Sequence, residues 1–489
     1  MINGISVPAE QRTRLLEGLL VLVGASAVAS LILVPEAGLL VVIGCAALWF
    51  IAVVCDVFEG KVEGLVLCWA AFFPLGYLIF LFPPVHPIIT AQRLVVLSAF
   101  TGLFFAKPNM LLAIPRPLRR AALICLAFIA VAAVSLTKSP EVLGPGGKLF
   151  DSFFLPILFG WSIIARFDAR RRLPLLHAAV CISSIICAAI AAAEMVTGED
   201  LLPYDGSAMF YAGGIPRPNG PFGSNDALAM VGALSFFFLL FFRAALSTSL
   251  GAGRRMLHTI GVAAALGMAL MPMFRSIVIT LLLALIIDAF CEKRTTRRAW
   301  HVVLILAFLG LIFSVSVFAP DMFADRSDSQ NVYARVAQYE QSLRVFVDHP
   351  LLGVGFASFN AFVAGQLQYR TSYEGWSSVD WPHNNLMAAL AETGILGFVT
   401  YVMTHIVLLW AMWQLRQLSS CGYSVWRYYV YMFLTYWITG LTEATGFNAF
   451  VNLWYVFLMT ICYKYVLTAP DAILPVEERV PGRILSAPA

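Results

Sequence analysis

Charge is scarce in this chain. Only 12% of its 489 residues are Asp, Glu, Lys or Arg against 60% hydrophobic, and the mean hydropathy is +0.83. That balance lies far outside soluble usage and leaves the bilayer as the fitting solvent. Blocks of consecutive basic residues are missing and the net charge is only +4, which excludes nucleic acid as a partner and directs attention to lipids. There is no Walker motif, no HExxH and no dinucleotide fingerprint. No segment expected on the cytoplasmic side is long enough to fold a nucleotide-sugar domain, so any activated donor must arrive through the membrane. The nine cysteines all fall in apolar spans or basic loops, so neither disulfides nor a thiolate metal site is expected. Residues 1–14 lack the apolar core and cleavage site of a signal peptide, and the first apolar run is expected to stay as an anchor.

What is abundant is long apolar runs. A span takes about 20 residues, somewhat fewer where the ends snorkel, and reading the runs between charged or Pro/Gly boundaries gives about fourteen. They are Leu15–Val34, Ala37–Cys55, Gly64–Phe82, Arg93–Ala106, Ala121–Leu136, Phe150–Ile164, Leu173–Met195, Ala227–Phe242, Met256–Met271, Ile277–Phe290, Val302–Phe318, Leu386–Met412, Tyr428–Ile438 and Phe450–Leu467. The expected fold is an all-α polytopic bundle forming a single membrane domain over residues 1–489.

The charges orient it. With a cytoplasmic N-terminus, 23 of the 32 Lys and Arg fall on the cytoplasmic side. The other nine (Arg93, Lys138, Lys148, Arg217, Arg275, Arg326, Arg335, Arg344, Arg370) fall outside or at the outer ends of spans, which follows the positive-inside rule at nearly every loop. Both termini, including the tail 468–489, are then expected in the cytoplasm, with the chain in an inner membrane.

Two outside segments are long, Val196–Asp226 and the large loop at 319–383, and function should concentrate there. Within the large loop Val332, Val336, Tyr339, Leu343, Phe346 and Val347 recur at helical spacing up to Pro350. This predicts an amphipathic helix lying across the mouth of the bundle. Asp321, Asp325 and Asp328 lack the glycine and terminal glutamate of a calcium loop and read as a solvated acidic turn. No metal and no cofactor are expected.

The most informative stretch is PHNNLMAALAETGILGFV, residues 382–399. A polar loop ends at His383 and an apolar helix begins at once, with Asn384 or Asn385 able to cap it. The positive end of a helix favours a neutral imidazole, the form that takes a proton as general base. The same position also suits an ordinary interfacial residue. Gly394 and Gly397 would let a second backbone approach, or merely serve small-residue packing between helices. Glu392, and Glu443 in GLTEATGF, are carboxylates at membrane depth that require a partner, expected to be Arg275 or Arg335. Arg275 in MPMFRSIVIT sits at the outer surface, where it either snorkels or binds. Arg217 in GGIPRPNGPFGSND is held between two prolines in a glycine-rich turn that could approach a ligand or simply stay rigid. Planar guanidinium forks on the outside suit phosphate oxygens.

His383-Asn384, then Gly394-x-x-Gly397 after a long outside loop, resembles the signature of the bacterial O-antigen ligase and Wzy-type polymerase superfamily. Arg335 followed by a helix and HPLLGVGFASF (His349–Phe359), the Arg275-Ser276 helix start and PNGPFGSNDALA are similar too. The resemblance covers roughly residues 205–460 and implies a GT-C-like membrane glycosyltransferase. Such an enzyme acts at the periplasmic face without a metal, taking glycan from undecaprenyl diphosphate to an acceptor hydroxyl. It further implies that Arg275 and Arg335, with Arg217 as helper, bind the diphosphate. His383 would orient or deprotonate the acceptor, supported by Asn384, Glu392, Glu443, Gly394 and Gly397. Phe398-Val399-Thr400 stands where some ligases carry threonines directly after the second glycine.

The leading expectation is a polymerase joining lipid-linked repeat units of an O-antigen or exopolysaccharide, since nothing suggests a surface for docking lipid A-core. A ligase acting on lipid A-core or a protein acceptor is the closest rival. A flippase or transporter is another, although it would need neither the long loop nor the His383 cap. Membrane lipids and other polysaccharide-assembly proteins complete the expected partners.

Overall fold

The computed structural model describes residues 62–75, 81–82, 88–106, 114–202, 209–246, 251–292, 295–318, 321, 330–378, 382–418, 420–444 and 448–469. The first two predicted runs lie outside these residues, and every later run is helical along most or all of its length. Among the described residues six helices are long and apolar enough to cross a membrane. They are α3 (Arg116–Ser135, extended by a 3-10 turn to Lys138), α4 (Leu143–Arg166), α5 (Ala169–Thr197), α6 (Asn225–Ala245), α12 (Asn385–Leu418) and α14 (Ala449–Leu467). Between and around them run α1 (Glu63–Phe72), α2 (Ala91–Ala106), α7 (Ala252–Leu270), α8 (Arg275–Cys291), α9 (Thr295–Phe318), α10 (Gln330–Asp348), α11 (Phe359–Val363) and α13 (Ser420–Gly440). The protein is an all-α polytopic membrane protein, with strand confined to three two-stranded hairpins among the described residues.

The third predicted run departs from expectation. Its helix stops at Phe72, tightens through a 3-10 turn containing Pro74, and residues 81–82 pair instead with Ile89–Thr90. Proline removes an amide donor and ends the regular ladder. The helix is nonetheless fixed in the core, because Phe73 stacks on Trp454 of α14 with centroids 4.7 Å apart. Trp454 in turn donates through its indole N–H to Ser235 of α6 at 3.0 Å.

Two local breaks position the site. In α4 the ladder widens to a π-turn at Phe150–Phe154, a defect that needs side-chain partners for the displaced carbonyls. Asn452 of α14 donates its amide to the Ser152 carbonyl at 2.7 Å, and Arg93 grips Asp151 with two nitrogens at 2.7 and 2.8 Å. The second break is in α12, where Gly394 has φ 65° and ψ −168°. The carbonyls of Ala391 and Glu392 accept there from the amides of Val354 and Gly355 at 3.1 and 3.0 Å, and the Ile395 amide donates to Pro350 at 2.8 Å. A β-carbon on Gly394 would overlap the Leu351 carbonyl, and one on Gly353 would overlap Glu392. The segment following Pro350 is therefore threaded into the broken helix, a backbone irregularity tolerated at depth because protein satisfies it.

Helix α10 forms as predicted but presents the opposite face. Ala337, Gln338, Gln341, Ser342 and Val345 are buried, while Val332, Leu343 and Val347 are 50%, 44% and 70% exposed. The small and polar face packs against α12 and the β5–β6 hairpin (Ser372–Tyr373 with Trp376–Ser377). Of the apolar stripe, Val332 lines a cavity at one end of the bundle, and Leu343 and Val347 stand exposed, as single apolar residues on a protein surface commonly do.

Candidate functional site

One end of the bundle holds a cavity of about 810 Å³, and the helix termini explain its character. The N-terminal ends of α6, α8 and α14 open onto it through Asn225, Arg275 and Asn448, and His383 immediately precedes α12. Unpaired amides at such termini carry partial positive charge. Lys148 from α4, Arg217 from the strand Ile215–Arg217, Arg275 from α8 and Arg335 from α10 add four basic side chains to its lining. Two acidic side chains, Asp226 and Glu443, line it as well. The surplus is positive and spread over several fixed donors, the arrangement that suits a polyanion such as a diphosphate.

Glu443 ties the chemistry together. One of its oxygens accepts from Arg335 Nη2 at 2.9 Å, and the other lies 2.5 Å from His383 Nδ1. An ionised carboxylate only accepts, so the proton of this bond is on Nδ1 and Nε2 is the acceptor nitrogen of the neutral ring. The three side chains keep between 18% and 31% exposure, enough for a substrate to reach them. Asn384 is the cap of α12: its carbonyl oxygen accepts from the amides of Leu386 and Met387 at 2.8 and 3.2 Å. Its amide nitrogen donates to Leu441 at 3.0 Å, which fixes the turn carrying Glu443 against the loop carrying His383.

Other candidates lie elsewhere. Glu392 pairs with neither Arg275 nor Arg335. It accepts from the amides of Ala357 at 2.8 Å and Phe359 at 3.4 Å, with Lys148 as the neighbouring cation. It thus locks the segment threaded through α12 and does not line the cavity. Gly397 admits no second backbone, since a β-carbon there would meet the side chain of Thr393 in its own helix. Arg344 makes an exposed pair with Glu340 at 2.6 Å, outside the cavity. Among the described residues no three His, Cys, Asp or Glu side chains are grouped to hold a metal ion, and Asp325 and Asp328 lie outside those residues. Lys148, Asp226 and Asn448 join the cavity without having been expected there. Lys148 stood among the nine outward cations, and Asp226 and Asn448 lie at the starts of α6 and α14.

Residues 225–402 match the family model described as O-antigen ligase. Over that stretch the chain is similar to O-antigen ligases. No curated protein matches the chain. The matched stretch supplies Asn225, Asp226, Arg275, Arg335 and His383, while Lys148, Arg217 and Glu443 enter the cavity from outside it.

Arg217 reaches the matched stretch through the backbone of the turn before α8. It is buried, its Nε donates to the Pro272 carbonyl at 2.9 Å, and its guanidinium lies 5.9 Å from the ring centre of Phe274. The next residue, Met273, has φ 57°, a left-handed conformation costing a side-chain-bearing residue about 1–2 kcal/mol. Arg217 therefore clamps the strained turn from which Arg275 starts α8. Arg217→Gln should lower the thermal midpoint in detergent, and adding Met273→Gly should recover part of it by removing the strain. Thermal unfolding of the two variants checks this, since an arginine that does not clamp the turn gives no such recovery.

Proposed function

We propose that the protein is a glycosyltransferase that takes glycan from a lipid-linked diphosphate donor to an acceptor hydroxyl, at the outer face of the inner membrane. The observation that carries this reading is the Arg335–Glu443–His383 chain set inside a cation-lined cavity. The donor diphosphate sits against Arg275, Arg335 and Lys148, which offset the negative charge that grows on the leaving phosphate as the glycosidic bond breaks. His383 Nε2 takes the acceptor's proton as its oxygen attacks the sugar, and Glu443 stabilises the imidazolium that results.

Among acceptors, the non-reducing end of another lipid-linked unit is the favoured one, which makes the protein a polymerase of O-antigen or exopolysaccharide repeats. The second reading is a ligase that passes finished glycan to lipid A-core or a protein, favoured by the description of the matching family model. Complementing a deletion strain with His383→Ala and with Arg335→Ala, each shown to be expressed and inserted, tests both. Surface glycan should disappear while intermediates collect on the lipid carrier, as single units for a polymerase and as long chains for a ligase. Full activity in both variants would reject this site and favour a transporter.

A further inference from the structure

A second cavity, of about 490 Å³, lies where α4 ends, α5 begins and α14 ends. Asn448 at the start of α14 lines the first cavity and Thr468 at its end lines the second. The helix between them has 19 residues, about 28 Å of rise. That is close to the hydrocarbon thickness of a bilayer, about 30 Å, so the second cavity sits at the level of the opposite headgroups.

Four cations line it, Arg166, Arg170, Arg171 and Lys464, against the single carboxylate of Asp168. That carboxylate is engaged, accepting from the Arg171 amide at 3.0 Å as the cap of α5. Lys464 is held against the Ile164 carbonyl, and Arg170 lies 4.7 Å over the ring of Tyr465 with its Nε on the Tyr465 carbonyl at 3.3 Å. These contacts fix the walls of the cavity. The Nε of Arg166 is buried and has no acceptor among the described residues, and neither Arg166 nor Arg171 forms an ion pair among them. A general bias of basic residues to one side of a membrane accounts for their number. It does not account for the convergence of all four on one hollow whose single carboxylate already caps α5, a setting in which a phosphate group would meet several guanidinium and ammonium donors at once.

We propose that this cavity binds a phosphate group, namely the phosphodiester of an anionic phospholipid in the leaflet opposite the His383 site. Basic hollows between helix ends at this level suit such headgroups. The test is native mass spectrometry of the full chain released from nanodiscs of phosphatidylcholine mixed with phosphatidylglycerol. Wild type should retain phosphatidylglycerol selectively. Arg166→Gln and the exposed Arg171→Glu should each weaken retention by about tenfold, with thermal midpoints unchanged for Arg171→Glu. The control Arg254→Glu/Arg255→Glu, in the exposed first turn of α7, should retain lipid as wild type does. Equal losses in the control would overturn the proposal in favour of diffuse surface attraction. Displacement by inorganic phosphate with no preference for phosphatidylglycerol would overturn the lipid assignment and leave a free-phosphate site. Neither measurement involves glycan transfer.

Discussion

Replacing His383 with alanine, in a chain that still inserts, is expected to lower the rate of glycan transfer by about 10²–10⁴-fold, the range typical of a lost general base. The expectation rests on the orientation of the ring. Glu443 holds Nδ1 at 2.5 Å, leaving Nε2 as the basic nitrogen, so the proton acceptor is set before the acceptor sugar arrives. The loss should fall on kcat and leave the KM for the lipid donor nearly unchanged, since the diphosphate is held by the arginines. Arg335→Ala should raise KM as well as reduce kcat. Glu443→Gln should give a rate between wild type and His383→Ala, because the amide keeps a contact to the ring but cannot stabilise the imidazolium. Steady-state kinetics with purified protein and a lipid-linked donor separate these cases. A His383→Ala variant with unchanged kcat would remove the histidine from the chemistry.

Gly394→Ala is expected to be the most damaging small substitution in the membrane helices. The backbone at φ 65° and ψ −168° lies in a region essentially restricted to glycine, worth about 1–3 kcal/mol of strain for any other residue. The added methyl would also overlap the Leu351 carbonyl. Relief requires withdrawing the segment after Pro350 from α12, which breaks the amide bonds to the Ala391 and Glu392 carbonyls. Thermal unfolding in detergent should show a clear fall in midpoint. Gly397→Ala should cost less, since the added β-carbon meets only Thr393 of its own helix and leaves the amide bonds to the Ala391 and Glu392 carbonyls in place. Equal effects at the two glycines would mean that the break in α12 is not what Gly394 supplies.

The apolar runs made the helices legible, because twenty-residue hydrophobic stretches and alternating loop charge are imposed by the bilayer itself. The orientation of α10 was not legible. Periodicity identifies an apolar face, which burial alone would turn inward, yet Leu343 and Val347 are exposed while Gln338 and Gln341 pack against protein. At the site, His383, Arg275, Arg335 and Arg217 were visible as polar residues at helix starts and outer surfaces, and the structure brings them around one cavity. The pairing of Glu443 with Arg335 was one of the expected alternatives, but its continuation to His383 was not visible. Glu443 and Glu392 looked equivalent as carboxylates at membrane depth. Only the fold separates the one that joins Arg335 to His383 from the one that accepts the amides of Ala357 and Phe359. Lys148 was hidden for a related reason, since its place beside the cavity depends on the π-turn in α4.

The origin of Glu443 bears on how such proteins can be recombined. The matched stretch ends at residue 402, some forty positions before the carboxylate that links its own arginine to its own histidine. A chimera grafting residues 225–402 onto another helical scaffold would inherit the arginine and the histidine with nothing between them. Their mutual repulsion would then disfavour the charged imidazole that forms on proton uptake. Exchange of acceptor preference between two such proteins therefore calls for crossover points placed beyond α13, so that histidine, carboxylate and arginine travel as one inherited block.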